Sequence, residues 1–308
     1  MTVLSRAALG RLFEAIGEDA VAGGTVVPAS VRDRTLSAAL AQRKQGSHIA
    51  ILASGDAAKA FQAQARELER LFDSLALDDW HLPTAADWTI GELVAHLIAV
   101  EEYFGSLLGL WSFEVPVGTL ADHRAMSGPT IERYASSAPA DVIARWREVT
   151  NAVLHALDEP SRLPTDVVFH TLPLRLPNVL VTRAFELWTH ADDVRRALAQ
   201  PLCEPPADHI AVMSSLAVRS TPAGLMLAGM NHDDRRIHIV LTGRGGGAWS
   251  VGYGQSSPPK ADTVFVTDAV DFCRMAAGRI DLADLDADIT GDERFARDIC
   301  LAAQIFAA

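Results

Sequence analysis

The sequence predicts an α+β protein of two domains, an antiparallel four-helix bundle followed by a small α+β domain. Three observations carry this. Four long stretches with helical apolar periodicity occupy the first two thirds of the chain. After Pro201, Pro205 and Pro206 the pattern changes to short β-branched runs separated by turn residues. The length, 308 residues, suits two domains of ordinary size. The divisions read as 1–55, an extension with no assigned role; 56–202, the helical bundle; and 203–308, the α+β domain.

The elements follow in order. Residues 1–55 begin with a short amphipathic helix over Leu4–Ile16, pass through a Gly/Pro-containing connection and reach a helical piece near 34–43. Residues 56–75 form an amphipathic helix with Phe61, Leu68, Leu71 and Phe72 on its buried side. The next helix has a clear start: Thr89 is placed as N-cap, and Glu92 three residues on completes a capping box. Leu93, His96, Leu97 and Val100 then share a face. Residues 139–159 supply a third long helix. Pro177 and Asn178 precede the fourth, at about 179–199. Four such helices with one interior polar cluster make an antiparallel bundle.

In the second domain "ADHIAVMSSLAVRS" reads as a helix. "RRIHIVLTG", "GAWSVGYG" and "ADTVFVTD" read as strands, with "TGRGGGAW" as the turn between the first two. "DAVDFCRMAAGR" and "GDERFARDICLAAQIF" are helices, the latter opened by Asp292 near an N-cap position. No internal repeat is present.

Composition narrows the function classes. Lys plus Arg number 27 against 39 Asp plus Glu, a net charge of −12. So acidic a chain is a poor partner for nucleic-acid phosphates. Hydrophobic residues make up 49%, enough for a substantial core. Cys203, Cys273 and Cys300 are widely spaced and odd in number, which argues against a disulfide framework and a cysteine zinc site and points to a reducing cytoplasm. Charged residues interrupt the first 24 positions, so no signal peptide is expected. No uninterrupted apolar run of about 18 residues occurs, so no membrane span is expected either.

One constellation carries chemistry. In "TRAFELWTHADDVRRALAQPL" (182–202), Glu186, His190 and Asp193 fall at helical spacings of four and three along one stripe. Glu186 and His190 together with His96 from the capped helix would give two imidazoles and one carboxylate, a set that leaves a position open on a divalent ion. Asp193 could orient an imidazole as an outer partner. The same spacing also fits a solvent-facing pair or a satisfied core cluster. "GRGGGAW" lacks the Lys-Ser/Thr of a phosphate loop and precedes a strand, so a hairpin turn is the better reading. No G-x-S-x-G motif occurs. Cys273 and Cys300 read as small core residues. His170, His209, His232 and His238 are scattered, with surface or turn roles. Arg274 and Arg279 either bind a carboxylate or simply end their helix beside a C-cap glycine.

"DWTIGELVAHLIAVEEYF", followed far downstream by "RAFELWTHADDVRRAL", resembles the mycothiol-dependent maleylpyruvate isomerase family, within the wider DinB-like four-helix proteins. "GGGAWSV", "VFVTDAVDFCRMAAGR" and "DITGDERFARDICL" resemble that family's second, sterol-carrier-like domain. The likeness spans about 56–308 and leaves out 1–55. It implies that His96, Glu186 and His190 ligate a divalent metal, zinc by preference. It also implies that an arginine of the second domain assists the substrate, Arg279 first and Arg274 second. The implied activity uses a low-molecular-weight thiol, mycothiol, on a small electrophilic, carboxylated substrate, as cis-trans isomerase or thiol S-transferase. A non-catalytic metal- or ligand-binding protein and a metal-dependent hydrolase are the alternatives.

Overall fold

The computed structural model describes residues 54–85, 88–253 and 260–306. The helices expected within residues 1–53 lie outside the described residues. The described residues fall into two compact units, one running to Pro205 and one beginning at Pro206.

The first unit is helical. Its elements are α1 (Ser54–Asp73), α2 (Ile90–Leu107), the short α3 (Gly128–Tyr134), α4 (Pro139–Leu157), strands β1 (Asp166–Phe169) and β2 (Leu172–Arg175), and α5 (Leu176–Ala197). Packing is chiefly α1 on α5 and α2 on α4. The apolar stripe expected on α1 is the buried one: Phe61, Leu68, Leu71 and Phe72 all face inward. Phe72 meets Trp146 of α4 edge to face at 5.0 Å, and Phe61 meets Phe104 of α2 at 5.9 Å. Burying each such side chain contributes about 1.5–3 kcal/mol. α2 is buried nearly all round, from Ile90 to Gly105. α5 starts three residues earlier than the periodicity suggests. Pro177 sits in its first turn, where the missing N–H has no helical acceptor to lose.

The β1–β2 hairpin is not visible in the sequence pattern. Its strands have four residues each, paired antiparallel from Asp166↔Arg175 to Phe169↔Leu172. Only one side is buried, through Val167 and Phe169.

The second unit contains α6 (Ala207–Leu227), β3 (Arg235–Thr242), β4 (Gly247–Tyr253), β5 (Thr263–Asp268), α7 (Ala269–Ala276), β6 (Ala287–Thr290) and α8 (Glu293–Ala303). The sheet is mixed, in the order β4-β3-β5-β6, with β3 and β5 parallel and both outer pairs antiparallel. Asp268 and Asp292 cap α7 and α8 through their side chains. β6 is a strand the sequence pattern does not announce.

α6 is long and apolar enough to cross a membrane by length and composition. Here its apolar residues Ile210, Met213, Ala217 and Val218 are buried within the unit, where α6 packs on α7 and α8. The glycine-rich stretch is the β3–β4 turn, as expected. Gly245 has φ 69°, and a Cβ there would stand 2.4 Å from the carbonyl oxygen of Ala207.

Candidate metal centre

Two helices deliver the cluster. The α2 capping box forms as the sequence dictates: the Thr89 hydroxyl accepts from the Glu92 amide, and the Glu92 carboxylate accepts from the Thr89 amide at 2.7 Å. This fixed start sets His96 nearly two turns into a helix buried almost all round. On α5, Glu186 and His190 stand one turn apart. The ligating atoms of His96, Glu186 and His190 lie within 4.8 Å of one another, and all three residues are buried. His96 Nε2 is 3.1 Å from Glu186 Oε1. The polar stripe on α5 is therefore an interior cluster and not a solvent-facing one.

Each imidazole is oriented from outside the cluster. His96 Nδ1 is 2.7 Å from Ser127 Oγ, and His190 Nδ1 donates to Asp193 Oδ2 at 3.1 Å. With Nδ1 protonated by that bond, His190 Nε2 carries a lone pair. It is buried and has no hydrogen-bond partner. An orphaned buried nitrogen is costly, and here it is aimed among two other donors. Two nitrogens and one carboxylate oxygen, with outer partners fixing the rings, suit a divalent cation such as zinc.

Burial is the main electrostatic fact. It lowers the His96 pKa to about 3, outweighing the attraction of Glu186, so the ring is neutral. Burial alone would raise the Glu186 pKa. The opposing charge of Arg183, followed by His123, instead holds it well below the carboxylate range. Arg183 is wholly buried and joins both Glu186 Oε2 and Glu101 Oε1, the latter at 2.7 Å. Burial raises the Glu101 pKa despite Arg183.

Several residues at the centre escape sequence reasoning. His123 Nε2 lies 2.9 Å from Glu186 Oε1, and His123 Nδ1 lies 2.8 Å from His170 Nε2. His170 occupies a turn, as expected, but it is 1% exposed and not at the surface. His123 lies just beyond a 3₁₀ turn, in a region with no periodicity to flag it. Arg183 was detectable in principle, as a cation three residues before Glu186 on an apolar helix. Trp88 packs tilted against His96 with ring centroids 4.7 Å apart, and Arg124 lies over Trp88 at 4.5 Å.

The other candidates belong to the second unit. Arg274 is in the last turn of α7, in the second unit. Arg279 follows Gly278 (φ 71°), and its guanidinium donates to the Ala277 carbonyl at 2.6 Å. Cys273 and Cys300 are buried thiols whose pKa burial raises, that of Cys300 to about 12, which disfavours the nucleophilic thiolate. His232 pairs with Asp298 at 2.9 Å, and His238 is half-buried on β3. His209 is half-buried in the first turn of α6.

Residues 61–195 match the family model described as the mycothiol maleylpyruvate isomerase N-terminal domain. The match covers the helical unit and less than half of the chain. It includes His96, His123, His170, Arg183, Glu186, His190 and Asp193, while Arg274 and Arg279 lie beyond it. Two crystal structures share the fold, one of the mycothiol-dependent maleylpyruvate isomerase and one of a mutant of it. They are 14% and 13% identical to this chain, each with a TM-score of 0.52 over 77% of this chain and 93% of theirs. The two-domain fold, a helical region followed by a mixed-sheet unit, is thus that of the isomerase. No curated protein sequence matches the chain.

Proposed function

We propose that this protein is a metal- and thiol-dependent enzyme in which His96, Glu186 and His190 hold a divalent cation, zinc by the donor set. Mycothiol is the cosubstrate, and a small electrophilic, carboxylated molecule is the substrate. The observation that carries this reading is the buried Nε2 of His190, left without a partner while Asp193 anchors the opposite nitrogen. It stands within the segment that matches the mycothiol maleylpyruvate isomerase N-terminal domain model.

A cation bound there supplies a Lewis-acid position that favours the thiolate form of a coordinated thiol. The chain's residues do the rest. His96 offers a neutral nitrogen because burial suppresses its protonation. Glu186 offers a carboxylate kept ionised chiefly by Arg183. Asp193 holds His190 in the ligating tautomer. Arg279, with Arg274 second, assists the substrate's carboxylate.

As an isomerase, the thiolate adds to one carbon of a cis double bond and the π pair moves onto the conjugated carbonyl as an enolate. The remaining single bond rotates, and expulsion of the thiolate returns the trans alkene. No oxidant or reductant is consumed. As an S-transferase, the enolate takes a proton and the adduct is released. Three free cysteines accord with a reducing, cytoplasmic setting.

The test combines metal analysis with turnover of maleylpyruvate and related electrophiles, with and without mycothiol. One equivalent of metal, thiol-dependent turnover and loss of both in His190→Ala are expected. Turnover of esters or amides without thiol would make it a hydrolase. A metal-loaded protein that turns over nothing would make it a binding protein.

A further inference from the structure

The β1–β2 turn is strained where a hairpin need not be. Its two residues, His170 and Thr171, both have positive φ, 46° and 69°. A two-residue turn of this kind favours Asn-Gly. Each ordinary L-residue there costs about 1–2 kcal/mol, most for a β-branched one such as threonine. Such conformations persist where the surroundings over-determine them.

The surroundings of His170 do so. Its amide donates to the Tyr103 hydroxyl at 2.9 Å, and that hydroxyl donates to the Val168 carbonyl at 3.3 Å. Its ring packs edge-on against Phe169 at 4.7 Å. The ring's Nε2 then meets His123 Nδ1, and His123 Nε2 meets Glu186 Oε1. The strained turn ends in a strut of two imidazoles that bears on one carboxylate.

We propose that His123, braced by His170, is a positioning residue that holds Glu186 in its ligating orientation; this rests on the metal-site reading above. Glu186 is pulled from two sides. Arg183 grips Oε2 from the same helix, three residues earlier. A guanidinium presents parallel N–H groups and favours taking both oxygens of a carboxylate. The His123 N–H on Oε1 opposes that rotation and leaves Oε1 directed at His96. His170 is itself held from both ring nitrogens, Nδ1 donating to the Gly118 carbonyl at 3.3 Å and Nε2 meeting His123 Nδ1 at 2.8 Å, so its placement sets where His123 stands against the carboxylate. His123 follows a short 3₁₀ turn and has no helix to hold it, so the brace from the hairpin sets its place. Neither ring belongs to the three-donor cluster itself.

The test is titration of the metal-free protein with Zn²⁺ against a chromophoric chelator, with unfolding of the metal-free protein measured in parallel. His123→Leu removes the donor, and His123→Gln keeps an N–H near the position of Nε2. His170→Asn removes the brace but tolerates positive φ. His123→Leu should bind zinc about 10–100-fold more weakly, with His123→Gln recovering most of the loss. His170→Asn should also bind more weakly while its metal-free unfolding midpoint stays near the parent's. Parental zinc affinity in both His123→Leu and His170→Asn overturns the proposal. So does a loss in His123→Leu that tracks a lowered midpoint and is not recovered by glutamine, since that marks a merely structural role. If the parent binds no zinc, or His190→Ala binds it as tightly, the metal-site reading itself fails and takes this proposal with it.

Discussion

Replacing Arg183 with methionine keeps an unbranched chain in the bundle but removes a buried cation paired with two buried carboxylates. Glu101 is 0% exposed and Glu186 9%. Glu101 Oε2 has no hydrogen-bond partner even with Arg183 present, so nothing nearby takes over when Oε1 loses its own. Breaking a buried pair from one side costs about 3–5 kcal/mol, a large share of the ~5–15 kcal/mol that holds a domain together. Urea unfolding of the metal-free protein should show it as a midpoint about 2 M lower for an ordinary slope of ~2 kcal/mol per molar. Adding Glu101→Gln to the same chain should restore part of the loss, because one of the stranded charges is gone. Burial then acts on Glu186 with only the histidines opposing it, so zinc binding should also weaken more steeply than the parent's as pH falls. A loss below about 1 kcal/mol, or a double variant no more stable than the single one, would refute the claim that this arginine sustains the two carboxylates.

Three further outcomes are expected. Asp193→Asn should weaken zinc binding by about 10–100-fold with the bundle still folded, read by chelator competition, because an amide no longer compels the ligating tautomer of His190. The metal-free protein should lose stability as pH falls from 6.5 towards 4. His96 and His170 are held neutral in the fold, at about 3 and about 4, and take up protons earlier when unfolded. The slope is at most about 1.4 kcal/mol per pH unit for each histidine, and Glu101, raised by burial, opposes it with a single proton. Flat stability across that range would contradict the neutral buried rings. In the second unit, Gly224→Ala should destabilise by about 1–3 kcal/mol in thermal unfolding, since its Cβ would stand 1.9 Å from the Ala302 carbonyl oxygen.

The legible and illegible parts divide along a physical line. Signals that act within one turn or one strand are written locally. The Thr89–Glu92 capping box, the Phe61–Phe72 stripe, the caps at Asp268 and Asp292 and the glycines of the β3–β4 turn could each be read from neighbours along the chain, and each is present. Glu186 and His190 belong to this class, because helical spacing alone puts them on one stripe. The β1–β2 hairpin does not. Its turn uses His-Thr where Asn or Gly would announce a hairpin, and its strands are four residues long.

By itself, the sequence determined two domains of different character, a bundle of four long helices and a polar stripe on the last of them. It could not say whether that stripe faces water, because helical spacing is the same on either side of a helix. The tertiary structure decided this by burying α5 nearly from end to end and bringing the His96 side chain of α2 to the stripe. It alone joined His123, His170, Arg183 and Glu101 to Glu186, over separations of 3 to 85 residues for which chain-local rules give no signal beyond the shortest. Glu186 lies 90 residues from His96. Contacts of that range are set by which faces can be buried together, and that is a property of the packed bundle and not of any one segment.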